Sequence, residues 1–226
     1  MDPVRDVPSA EHYRSRARRQ AGTPAPQADG LLDEIGSRVR ALREGRGLTL
    51  SALARRAKVG KATLSGLEHG TRNATLETCY AIAGVLEVPI AALLGPVGER
   101  EPQIAGASVT ARLLEVFEDA SATTELFHLR IAPGRTQRSP AHGPGVWEVI
   151  TVFRGTALVG DPDAPSQVLA GSHLRFAADR EHLYATATSE AVEASLVIRS
   201  PRRPAAGRAG TPPEDQRRRR PHLRGT

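Results

Sequence analysis

From Leu31 to Leu94 the apolar positions recur every three or four residues, which is the period of one helix face. From Val109 to Ile198 they fall instead into short β-branched or aromatic runs bounded by turn formers, with the change near Gly95-Pro96. Five helices are predicted in the first region. Leu31, Leu32, Ile35, Val39 and Leu42 form the first stripe, with Arg38, Arg40 and Arg43 beside it and Gly45 and Gly47 ending it. Thr49 is placed to cap a second helix that buries Leu50, Leu53, Ala54 and Ala57. The turn Lys58-Val59-Gly60 leads to a third, Lys61 to His69, with Leu64 and Leu67 inward and Gly70 at its left-handed end. Thr75 is placed to cap a fourth, with Leu76, Cys79, Ile82, Ala83 and Leu86 inward, and Pro89 opens a fifth around Ile90, Leu93 and Leu94.

In the second region strands are predicted over Val109–Phe117, Leu126–Ile131, Val146–Val159, Val168–Phe176, His182–Thr186 and Ala191–Ile198. Turns are marked by Pro133-Gly134, Gly143-Pro144-Gly145, Gly160-Asp161-Pro162 and Ala170-Gly171. So many short strands suggest a two-sheet sandwich or jelly roll. The expected class is therefore α + β in two domains. Residues 31–95 form the helical domain, 96–108 a linker and 109–199 the barrel. The proline-containing arm 1–30 and the tail 200–226, with its run Arg217 to Arg220, lack apolar periodicity and are expected to be disordered.

Composition narrows the partners. The 226 residues suffice for one or two domains, and 39% hydrophobic with 25% charged excludes wholesale disorder. The net charge of +6 is unevenly placed: +1 over residues 1–30, +3 over 31–95, −4 over 96–199 and +6 over 200–226. A basic helical domain and a very basic tail flanking an acidic barrel point to a polyanion that meets only parts of the chain. A lone Cys79 excludes an internal disulfide and a multi-thiolate metal site. No apolar signal segment is visible at the N-terminus, and the apolar stretch from Tyr80 to Gly98 is interrupted by Glu87 and Pro89. The expectation is a cytoplasmic protein without membrane contact. No nucleophilic triad has a usual spacing, and no glycine loop precedes a helix start as a phosphate cradle would require.

Two short helices joined by a tight turn can offer the second to the DNA major groove, provided that small or apolar residues sit where they touch. Leu53, Ala54, Val59, Leu64 and Leu67 meet that need, which frees Lys61, Ala62, Thr63, Ser65 and Gly66. The stretch Ile35 to Gly95 resembles the Cro/C1-type, or XRE, helix-turn-helix family. The match lies in Ile35-Gly36, Leu42-Arg43, Leu48-Thr49-Leu50, Leu53-Ala54, Val59, Leu64-Ser65, Leu67-Glu68-x-Gly70, Leu76 and Leu86. The resemblance implies that Lys61, Ala62, Thr63 and Gly66 face base edges, and that Thr49, Ser65, Arg43 and Arg72 belong to the DNA-binding set. It also implies an ion pair between Arg43 and Glu68. Gly60 and Ala52 depart from the family's capping residues, and Ala62 and Gly66 carry no base-reading hydrogen bonds, so Lys61 and Thr63 remain the main direct readers.

The second region resembles the cupin family through Pro133-Gly134, His142, Glu148-x6-Gly155 and Gly171-x4-Phe176-x5-His182. In metal-binding cupins a His-x-His pair, a glutamate and a later histidine converge inside the barrel. His142, Glu148 and His182 match three of those positions, whereas Pro140 replaces the first histidine and five residues separate His142 from Glu148. Three readings stay open: a pocket that binds a ligand without metal, a divalent-metal site, and a purely structural barrel. No cofactor is expected, with a divalent metal as the alternative. His128 and His173 are read as surface residues, Trp147 and Tyr184 as pocket lining or core, and Cys79 as an inert buried thiol.

Together these readings point to a sequence-specific transcriptional regulator, taken as a repressor. Its partners would be a double-stranded DNA operator, a second copy in a homodimer and a small-molecule effector, with the barrel sensing the effector, dimerising, or doing both. It would not be an enzyme. The alternatives are a metal-dependent cupin oxygenase or isomerase tethered to DNA, and an antitoxin-like partner-binding module.

Overall fold

The structure, a computed structural model, describes residues 29–97 and 101–202. The helical half contains α1 (Asp29–Gly45), α2 (Leu50–Arg56), α3 (Lys61–Glu68), α4 (Leu76–Leu86) and α5 (Ala91–Leu94). Thr49 caps α2 by accepting the Ala52 N–H at 3.1 Å, and Thr75 caps α4 by accepting the Thr78 N–H at 3.3 Å. Gly70 ends α3 at φ +69°, a conformation that costs a side-chain-bearing residue. Ile35, Val39, Leu53, Leu64, Leu67, Cys79, Ile82 and Leu86 are buried together. Gly36 sets the spacing of α1 and α3, because a Cβ there would lie 2.0 Å from the Leu67 carbonyl oxygen. Pro89 does not open α5 as expected; it sits in the turn before it, where its carbonyl accepts the Ala92 N–H.

The barrel half contains ten antiparallel strands: β1 (Gln103–Ala105), β2 (Val109–Glu118), β3 (Ala122–Ile131), β4 (Gln137–Ser139), β5 (Trp147–Arg154), β6 (Thr156–Gly160), β7 (Ser166–Leu169), β8 (His173–Ala177), β9 (His182–Thr186) and β10 (Val192–Pro201). They form a six-stranded sheet, β1-β2-β3-β10-β5-β8, and a four-stranded sheet, β4-β9-β6-β7. Phe127, Leu129, Ile150, Val152, Ala157, Val159, Leu196 and Ile198 are buried in the core of this half.

The expected boundaries differ from the structure at five places. The predicted strand Val146–Val159 is two strands in different sheets, because Gly155 turns the chain at φ +79° and packs against the Ala191 carbonyl. Val168–Phe176 divides likewise around Gly171, at φ +82°. The expected linker 96–108 contains β1, which pairs with β2, while Asp29 and Gly30 of the expected arm are helical. β10 runs through Ser200 and Pro201, beyond the expected start of the tail. Disorder expected for residues 1–28 and 203–226 falls outside the described residues. Among the described residues no helix is long and apolar enough to cross a membrane.

Helices α4 and α5 dock on the barrel. Glu125 of β3 accepts the Ala91 N–H at 2.6 Å, and Glu77 of α4 accepts the Ala107 N–H at 2.8 Å. Both bonds satisfy backbone donors near element ends with a carboxylate from the other domain.

Candidate DNA-binding face and barrel site

Helix α3 turns Leu64 and Leu67 inward and leaves Lys61 and Ala62 exposed at its N-terminal turn, with Thr63, Ser65 and Gly66 half-buried. Thr49 and Arg72 are also exposed. Gly60 precedes α3 without a side-chain cap, which leaves the first N–H groups of α3 free of one. Gly66 is overlain by Arg72: a Cβ there would lie 2.9 Å from the Arg72 Cγ. The glycine therefore seats Arg72 beside the helix.

The resemblance gives Arg43 two roles, an ion pair with Glu68 and an approach to the DNA backbone. The Arg43 Nε and one terminal nitrogen donate to the two carboxylate oxygens of Glu68, at 2.7 and 2.8 Å, and its other terminal nitrogen donates to the Leu48 carbonyl at 2.9 Å. A further bond at 3.2 Å reaches Glu44. Four of its five N–H groups are thus engaged, and its side chain is 10% exposed. The ion pair implied by the resemblance is present, whereas the phosphate role is left with one donor on a buried group.

In the barrel, strand alternation turns Glu148 of β5 inward with Ile150 and Val152. It meets His182 and Tyr184, two apart on β9, and His142 from the loop after β4. His142 Nε2 lies 2.9 Å from Glu148 Oε1, His182 Nε2 lies 3.6 Å from the same oxygen, and the Tyr184 hydroxyl donates to Glu148 Oε2. Glu148 is fully buried. Burial alone would raise its pKa, but His182, His142 and Tyr184 outweigh it and hold the carboxyl below its ordinary value. Burial pushes His142 down against the opposite pull of Glu148, and its Nε2–H donates to the carboxylate. Burial also keeps both Tyr80 and Tyr184 protonated. His182 Nδ1 donates to the Arg180 carbonyl at 3.0 Å, which fixes the orientation of the ring and leaves Nε2 without a hydrogen-bond partner. The ligand atoms of His142, Glu148 and His182 all lie within 4.8 Å of one another.

The remaining expectations divide. Tyr184 belongs to the site. Trp147 points the other way, with the Arg175 guanidinium 4.1 Å above its ring, because it alternates with Glu148 on β5. His128 and Arg130 share Glu193 on the outer face, and His173 is exposed. Cys79 is buried, and burial pushes its thiol to about 12. Tyr80 of α4 was not anticipated. Its ring stacks on His142 at 3.8 Å and 17°. The available signal is that α4 is apolar around most of its circumference, so it must be covered on two sides.

Comparison with known proteins accords with this geometry. Residues 39–93 match the HTH_3 helix-turn-helix family. Over 176 residues the chain is 28% identical to the HTH-type transcriptional regulator SutR of Escherichia coli K12, covering 77% of this chain and 99% of that protein. The protein is a DNA-binding transcriptional regulator with a helix-turn-helix domain. This regulator also matches the immunity repressor protein of Bacillus phage phi105, 34% identical over 61 residues, 27% of this chain and 42% of the phage protein. Among solved structures, an HTH_3 family transcriptional regulator from Vibrio cholerae superposes with TM-score 0.65 at 26% identity, covering 76% of this chain and 98% of that one. The regulator thus joins a DNA-binding helix-turn-helix domain to a two-sheet antiparallel β domain.

Proposed function

We propose that this regulator is a repressor that reads a two-fold operator as a homodimer, and that its barrel binds a small effector at His142, Glu148 and His182. The observation that carries the DNA-reading part is the exposed N-terminal turn of α3, whose opposite face is anchored by buried Leu64 and Leu67. Lys61 and Thr63 are assigned to base edges and Ala62 to a thymine methyl. Thr49, Ser65 and Arg72 are assigned to phosphates, with Gly66 seating Arg72 beside α3. Two such helices on a dimer axis would meet half-sites about one helical turn, roughly 34–36 Å, apart. The phage relative's name supports repression.

Lys61→Ala is expected to lower operator affinity by about 1–3 kcal/mol while leaving binding to scrambled duplex nearly unchanged, as measured by titration at fixed salt. An equal loss on both duplexes would reassign Lys61 to the backbone.

The barrel is proposed to work by binding, without catalysis. One observation favours a second reading, a metal-dependent enzyme: two imidazole nitrogens and a carboxylate oxygen converge, and the buried His182 Nε2 has no hydrogen-bond partner. This donor set fits a divalent transition metal, which His142, Glu148 and His182 would hold. Such an ion would supply a positive anchor for an anionic molecule. Metal analysis of the purified full chain is the test. One equivalent of metal lost in Glu148→Ala supports the second reading, and metal-free protein that still binds its operator supports the first.

A further inference from the structure

One wall of the barrel site belongs to the other domain. Tyr80 is 5% exposed and stacks on His142, whose Nε2 faces Glu148 in the same site. One turn along α4, Gly84 runs close to the barrel loop, where a Cβ would lie 3.1 Å from the Ala141 carbonyl oxygen. The neighbouring residues Cys79, Ile82, Ala83 and Leu86 are buried in the core of the helical half. Helix α4 therefore touches the barrel loop with one face and supports the DNA-binding domain with another. A cleft of about 310 Å³ opens along this seam, lined by Gly84, Glu87 and Val88 on one side and His142, Val146 and Ser200 on the other.

Two rings 3.8 Å apart cannot tilt independently. A molecule entering by the cleft and engaging His142 must rotate that ring or displace Tyr80. We infer that Tyr80 is the DNA-binding domain's own contribution to the barrel site, and that an occupant engaging His142 lowers operator affinity by breaking the Tyr80–His142 stack and loosening α4 from the barrel. The inference rests on the regulator reading above. Its physical content is a coupling: occupancy and docking bias one two-state seam, so each alters the other. Loosening lowers affinity because two recognition helices held at fixed spacing meet an operator at a higher effective concentration than two on slack domains.

The test uses the full chain and no ligand, with His142→Ala and Tyr80→Leu each removing one ring of the stack. Both are expected to speed amide hydrogen exchange in Leu76–Leu86 and to weaken operator binding by at least about fivefold. The double variant should go no further than either single one, and Tyr80→Phe should restore what Tyr80→Leu loses. Exchange in β5 should keep its wild-type protection, which separates undocking from collapse of the barrel. Should either stack variant fail to fold, Gly84→Leu wedges the same seam from a residue outside the stack and must give the same two effects. Unchanged exchange in α4, or additive losses in the double variant, would overturn the inference. If wild-type protein shows no operator preference the regulator reading falls, while α4 exchange still decides whether the stack holds the domains together.

Discussion

Glu68→Ala is expected to destabilise the helical domain by about 3–5 kcal/mol, read as a lower midpoint of urea unfolding. The cause is the charge left behind. Glu68 supplies both carboxylate oxygens to Arg43, and the two side chains are 2% and 10% exposed. Without Glu68 the guanidinium keeps only the Leu48 carbonyl and the distant edge of Glu44. Because the pair ties α1 to α3, operator affinity should fall with stability even though neither residue needs to touch DNA. The loss should persist in high salt, since a buried pair is poorly screened. A cost below about 1 kcal/mol would place the pair among ordinary solvated ones.

The second large effect is a pH dependence set by Glu125. This carboxyl is 1% exposed; burial pushes it from 4.5 up to about 7, opposed by the Ala91 N–H and assisted by the nearby charge of Glu148. The unfolded chain ionises Glu125 near 4.5 and the folded chain only near 7, so the folded state binds more protons between those values. Stability therefore declines as pH rises through that window, by roughly 3 kcal/mol in total. Glu125→Gln keeps an oxygen for the Ala91 N–H and removes the charge. It is expected to flatten the decline and leave the variant more stable than wild type at pH 8, as measured by urea unfolding from pH 5 to 8. Parallel curves for the two proteins would assign the slope to other groups. Glu148 acts in the opposite sense and in a different window. Its pKa is held low, so its contribution is present at neutral pH and is lost only as acid protonates it, below the Glu125 range.

The helical half was legible because its signals are local. Thr49 and Thr75 cap the helices they precede, Gly70 takes the left-handed end, and the apolar stripe of each helix faces one core. The barrel's hydrophobic runs showed where strands lie but not where they change sheets, since apolar residues flank Arg154-Gly155-Thr156 on both sides and it is the backbone at Gly155 that turns the chain. Strands of three residues, such as β1 and β4, are too short to show alternation. His142, Glu148 and His182 could be picked out by residue type and order, and the structure brings them together. Tyr80 could not, because what makes it part of the site is a contact across 62 positions of chain with a ring in another domain. Trp147 was ambiguous for a related reason: an aromatic side chain does not announce which side of a sheet it takes.

The seam also limits how freely this architecture can be recombined. Grafting residues 29–95 onto a foreign jelly roll would strand the Tyr80 ring, the Ala91 amide and the Glu77 carboxylate without the groups that satisfy them. A working chimera would have to import His142 and Glu125 together with the backbone at Ala107. The unit that can be exchanged intact is therefore larger than the DNA-reading head.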